Sequence, residues 1–144
     1  MSRDIVHGIE IHADPKTVFD TIATRSGLAA FWTPDVQGDE TEGGELTFGF
    51  SGSPSRLPIR VTRLVPPTAV AWDCPGAFPF WEGTDVAWSL APSEHGTKVV
   101  FRHAGFSEDQ PLYDFGSISL TWATIVARLK EVVESGGEPN PALS

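Results

Sequence analysis

Apolar and polar positions alternate along most of the chain, and give way to helical spacing in a few places. "DIVHGIEIHA" puts Ile5, His7, Ile9 and Ile11 on one face and Val6, Gly8, Glu10 and His12 on the other, which predicts a half-buried strand. "ADPKTVFDTIAT" follows, with Val18, Phe19 and Ile22 on one helical stripe, Asp14 as N-cap and Pro15 at the first helical position. "SGLAAFWTP" predicts a second short helix, with Ser26 as cap and a stop where Pro34 restricts Thr33. "DVQGDETEGG", residues 35–44, reads as a polar, acidic loop.

Strand patterns then recur. "ELTFGF" sets Leu46, Phe48 and Phe50 on one side, "IRVTRLV" groups Ile59 with Val61, and "AVAWDC" groups Val70 with Trp72. "SGSPSRLP" reads as a turn or longer loop and "PGAFPF" as an irregular one, and the Pro66–Pro67 pair forms a connection that neither flanking strand accommodates internally. In "TDVAWSL" the residues Thr84, Val86, Trp88 and Leu90 share a face. In "TKVVFRH" so do Thr97, Val99, Phe101 and His103. Matching the two apolar faces across the loop "APSEHG" in the tightest register sets Leu90 opposite Thr97, Trp88 opposite Val99, Val86 opposite Phe101 and Thr84 opposite His103. A one-residue slip turns Lys98 and Arg102 inward, so His103 is expected to face the interior.

After "AGFSEDQPLYDFGS" a long helix is predicted, with Ile118, Trp122, Ile125, Leu129 and Val132 in one stripe, widened by Val126 and Val133. Gly136 and Gly137 stop it, and "EPNPALS" reads as a loose tail. Residues 1–135 are therefore expected to form one domain and 136–144 a flexible C-terminal tail. The order is strand, two short helices, a run of antiparallel strands, one long helix. Only the inner face of the sheet is large enough to cover that helix's wide apolar stripe.

Composition narrows the function classes. The 144 residues suit a single domain with one core. A formal net charge of −9 sets the surface against nucleic-acid phosphates and anionic membranes, so neither is expected as a partner. Cys74 is the lone cysteine, which excludes an intrachain disulfide and a cysteine zinc cluster. "MSRDIVHG" lacks an apolar signal-peptide core and no apolar run reaches spanning length, so a cytoplasmic protein is expected.

The chain resembles START-like (SRPBCC, helix-grip) domains. More closely it resembles single-domain proteins related to activators of the heat-shock-protein-ninety ATPase. "ADPKTVFDTIAT", the pair Phe31–Trp32, "VAWDC", "WEGTDVAWSL", "GTKVVFRHAGF" and "TWATIVARLKEVVESG" carry the resemblance over nearly the whole chain. It implies an α+β helix-grip fold: a curved antiparallel sheet wrapped around the long C-terminal helix, with an apolar cavity between them. It also implies that the first strand lies beside the last, which brings His7 towards His103. The co-chaperone activators carry an additional client-binding domain for which this chain has no room.

Five tryptophans are many for this length. Trp32, Trp72, Trp88 and Trp122 fall on predicted inward faces, as core or as cavity wall. Trp81, with Phe78 and Phe80, either guards a pocket mouth or covers the sheet edge. His103 reads as a strand-end residue bonded within the fold, as a ligand contact, or as a proton shuttle. Two histidines with no third ligand do not make a metal site, and no cofactor is implied. The expected function is binding of a hydrophobic or aromatic small molecule between sheet and helix. Trp32, Phe48, Trp72, Trp88, Phe101 and Trp122 would form the wall, and His103 with Thr84 the polar handle. The alternatives are an aromatase/cyclase- or dehydratase-like enzyme using His103, and a co-chaperone-like interaction module. The oligomeric state expected is a monomer or a weak homodimer through a sheet edge.

Overall fold

The computed structural model describes residues 2–76 and 78–144. Met1, the first residue of the expected domain, and Ala77, within "PGAFPF", lie outside them. In chain order the elements are β1 (Ser2–Ile11), α1 (Pro15–Ala23), α2 (Arg25–Phe31), β2 (Asp35–Gly38), β3 (Glu45–Gly49) and β4 (Leu57–Val65). They continue with β5 (Ala69–Asp73), β6 (Asp85–Ser93), β7 (Gly96–Ser107) and α3 (Leu112–Glu134). Among the described residues the strands form one curved antiparallel sheet of seven, ordered β1-β7-β6-β5-β4-β3-β2. The inward residues of every strand and the stripe of α3 enter one core, which is the helix-grip α+β architecture.

Alternation sets the faces. Ile5 and Ile11 of β1, Leu46 and Phe48 of β3, Val70 and Trp72 of β5, and Val86, Trp88 and Leu90 of β6 are all buried. So are Val99, Phe101 and His103 of β7. The β6–β7 faces coincide as expected, but the register is two residues away from the tightest one. Leu90 pairs with Val99, Trp88 with Phe101 and Val86 with His103. The turn consists only of Glu94 and His95, because Ala91–Ser93 continue as strand. Pro92 is tolerated there because it lies beyond Ala69↔Ser89, the last pair towards that end between β5 and β6.

Four local expectations are corrected. Residues 35–38 form the edge strand β2 instead of loop, held where Arg56 Nη1 and Nη2 donate to Asp35 at 2.6 and 3.0 Å. The cap of α2 is Thr24, whose Oγ1 accepts from Gly27 N at 3.1 Å, and Ser26 lies inside the helix. Helix α3 begins at Leu112, where Leu112 and Tyr113 are exposed and add no apolar stripe for the pattern to reveal. Residues 138–144 lie against the domain instead of trailing as a loose tail: Asn140, Ala142 and Leu143 donate backbone N–H bonds to the carbonyls of Ala30, Phe31 and Trp32.

Candidate functional site

The concave face of the sheet and the inner side of α3 meet over an aromatic layer. Trp32, at the C-terminus of α2, stacks on Phe48 with ring centroids 4.2 Å apart and lies 5.1 Å from Trp122 of α3. Trp122 packs 4.2 Å from Phe101, which in turn meets Trp88 edge-on at 4.7 Å. Trp72 lies behind Trp32 in parallel orientation at 6.1 Å. Offset and edge-on contacts of this kind are the favoured aromatic geometries, so the rings hold one another in place.

One polar thread runs through this layer. The indole of Trp122 can only donate, and its Nε1–H reaches His103 Nδ1 at 3.0 Å. The His103 proton therefore sits on Nε2, which donates to Thr84 Oγ1 at 2.8 Å. The Thr84 hydroxyl in turn donates to the carbonyl of Trp81 at 2.5 Å. Every member is satisfied with His103 neutral. His103 is fully buried, and that burial pushes its pKa from 6.5 down to about 3. Protonation would also turn Nδ1 into a second donor facing the Trp122 N–H. His103 thus orients Trp122; it is not a base poised near neutrality.

Thr84 also faces Cys74, whose thiol burial pushes up to about 11. His7 pairs with Phe101 in the ladder, while Ile5 stands opposite His103. His7 Nε2 donates to the carbonyl of Ser119 at 3.1 Å.

Beside the aromatic layer a cleft of about 220 Å³ opens between α3 and the sheet. Ser117, Ile118, Thr121, Trp122 and Ile125 form one wall, a single face of α3 at helical spacing. Trp32, Phe50, Leu57, Phe78 and Trp81 form the other, and Leu143 closes one end. The lining is apolar except for the hydroxyls of Ser117 and Thr121 at the exposed rim. Among the described residues Trp32 Nε1 is buried with no hydrogen-bond partner.

Of the eight expected site residues, Trp32 and Trp122 line this cleft. Phe48 and Trp72 back Trp32, while Phe101 and Trp88 back Trp122. His103 lies one layer behind, bonded to Trp122, and Thr84 lines a separate outer groove of about 380 Å³. Trp81 and Phe78 do stand at the cleft, whereas Phe80 is half exposed on an outer groove with Glu82 and Gln110. The cleft residues outside that expectation are Phe50, Leu57, Ser117, Ile118, Thr121, Ile125 and Leu143. Ile118 and Ile125 were visible as helix stripe, but nothing in a stripe separates cleft wall from core.

The family described as Activator of Hsp90 ATPase homolog 1-like protein matches residues 12–134. The chain belongs to that family. Aha1 from Colwellia psychrerythraea, solved in solution as a dimer, superposes with a TM-score of 0.82 at 29% identity, over 93% of this chain and 98% of that one. A crystal structure of a Staphylococcus saprophyticus protein gives 0.79 at 19% identity, over 98% of both chains. CalU16 from Micromonospora echinospora gives 0.72 at 20% identity, over 97% of this chain and 78% of that one. No curated protein matches the chain in sequence. These likenesses agree with the seven-stranded sheet gripping α3. No helix among the described residues is long and apolar enough to cross a membrane.

Proposed function

We propose that this family member is a cytoplasmic binding domain that holds a small, uncharged aromatic molecule in the cleft between α3 and the sheet. The observation that carries the reading is the cleft itself: an apolar space walled by the indoles of Trp32, Trp81 and Trp122. Ligand pockets combine such walls with few polar groups. A cavity of about 150 Å³ accommodates one benzene ring, so about 220 Å³ suits one or two fused rings. The Ser117 and Thr121 hydroxyls favour a ligand with a polar group at its outer end. Binding is preferred to turnover because both ring nitrogens of His103 are already engaged.

The test is titration with 1-naphthol, followed by tryptophan fluorescence and thermal stabilisation. Quenching with saturation and a raised Tm is the expected result. Absence of both, across a panel of one- and two-ring aromatics, removes the reading.

The family's description favours a second reading, a surface that meets the chaperone. Co-precipitation and stimulation of the chaperone's ATPase separate the two. The Colwellia dimer, together with the position of β1 at the margin of the sheet, supports weak self-association, which sedimentation at rising protein concentration measures.

A further inference from the structure

We propose that residues 138–144 are a strap forming the removable end wall of the cleft, with Leu143 as the partition that sets the size of molecule admitted. The size selection rests on the ligand-binding reading above; the wall does not. The strap lies beyond residues 12–134, the part of the chain that matches the family.

Its attachment follows from an unfinished helix end. The last carbonyls of a helix lack intrahelical partners. At the end of α2 these are the carbonyls of Ala30, Phe31 and Trp32, and strap amides supply the missing donors: Asn140 N at 2.8 Å, Ala142 N at 3.0 Å and Leu143 N at 2.8 Å. Pro139 and Pro141 carry no N–H, and their fixed φ stiffens the segment around the donors. Arg128 of α3 adds an anchor, donating through Nη1 to the carbonyls of Asn140 and Pro141 at 2.8 and 3.0 Å. Strapping therefore ties α2 to α3 across the cleft end.

Leu143 has space on both sides. Inward lies the cleft of about 220 Å³; outward lies a surface depression of about 600 Å³ lined by Phe50, Ser51 and residues 141–144. Phe50 and Leu143 border both. Shortening Leu143 joins the two spaces, and peeling the strap opens the end altogether. Ala142 and Leu143 pack against the core only partly buried, and segments held by few buried contacts open before the core does.

The experiment uses the full-length chain with Leu143→Ala, Leu143→Phe and the volume-conserving Leu143→Met. Acrylamide quenching of tryptophan fluorescence without ligand reads the wall. Titration with 1-naphthol and with the larger, neutral N-phenyl-1-naphthylamine reads the size limit. Leu143→Ala should raise the acrylamide quenching constant and improve N-phenyl-1-naphthylamine binding relative to 1-naphthol about tenfold, while Leu143→Phe should reverse both changes. Leu143→Met should match the parent. Quenching that is unchanged in Leu143→Ala overturns the strap as a wall. Quenching that rises while the affinity ratio stays fixed overturns its role in size selection. If no form takes either probe, the ligand reading fails, and the acrylamide series alone decides the wall. Should Leu143→Ala not fold, the same comparison between Leu143→Phe and parent carries the decision, with lower quenching expected.

Discussion

His103 joins an indole donor to a threonine hydroxyl inside a layer of rings, and its neutrality is a condition of that arrangement. Its folded-state pKa of about 3 lies below the unfolded value of 6.5, so below pH 6.5 the unfolded chain takes up a proton that the folded one refuses. The stability is complete above pH 6.5 and is lost as pH falls towards 3. Between pH 6.5 and 5, above the main carboxylate range, the loss from this one group is about 2 kcal/mol, at roughly 1.4 kcal/mol per pH unit. Urea unfolding at pH 8, 6.5 and 5 should show that slope in the parent and a flatter one in His103→Gln, which cannot titrate. Equal slopes would mean that the imidazole is not the buried titrating group. The inward aim of His103 was legible from alternation alone. So was Thr84 as its neighbour, although by a register that does not form; Trp122 was not, because it belongs to another element. In the observed register Val86 stands opposite His103, and Thr84 reaches the imidazole from beyond the end of β6.

At the scale of elements, the α1–α2 corner depends on two residues that no stripe marks. Thr24 Oγ1 donates to the carbonyl of Asp20 at 2.7 Å and accepts from Gly27 N at 3.1 Å, closing α1 and capping α2 with one hydroxyl. Thr24→Ala is expected to lower stability by about 1–2 kcal/mol, with Thr24→Ser largely restoring it, as chemical denaturation would show. Gly27 is there because the helices touch: a Cβ on it would lie 2.0 Å from the Thr21 carbonyl oxygen. Gly27→Ala must push α2 away from α1 and should destabilise more than Thr24→Ala does. A smaller effect would show that the corner yields easily. Propensity pointed to both helices and to Pro15 at the start of α1, but chose Ser26 as cap because serine stood before the apolar run. Strand β2 escaped notice for a related reason. It has one partly buried apolar residue, Val36, and its place at the sheet edge comes from pairing with β3 and the Asp35–Arg56 ion pair.

For the whole molecule, six alternating segments and one wide helical stripe leave few ways to cover the apolar surface, which is why the helix-grip arrangement was readable although its seventh strand, β2, was not. The cleft was not readable, because it is the difference between two packed surfaces. Trp72 and Trp88 have the same inward pattern as Trp32, yet only Trp32 reaches open space. The docked end of the chain was equally hidden, since its bonds are made by backbone amides whose side chains show no periodicity. If the cleft is a site and not a packing flaw, filling it should cost binding without costing the fold. Ile118 is suited to that test, being a cleft-lining residue that is only partly buried and packs at the margin of the core. Ile118→Trp places an indole in the space, and 1-naphthol affinity should fall by about tenfold or more, an energy change of roughly 1.4 kcal/mol. The melting temperature should stay within about 4 °C of the parent, as expected for a change of about 1 kcal/mol in a domain this size. A large drop in melting temperature with binding intact would place the ligand elsewhere and assign this space to the core.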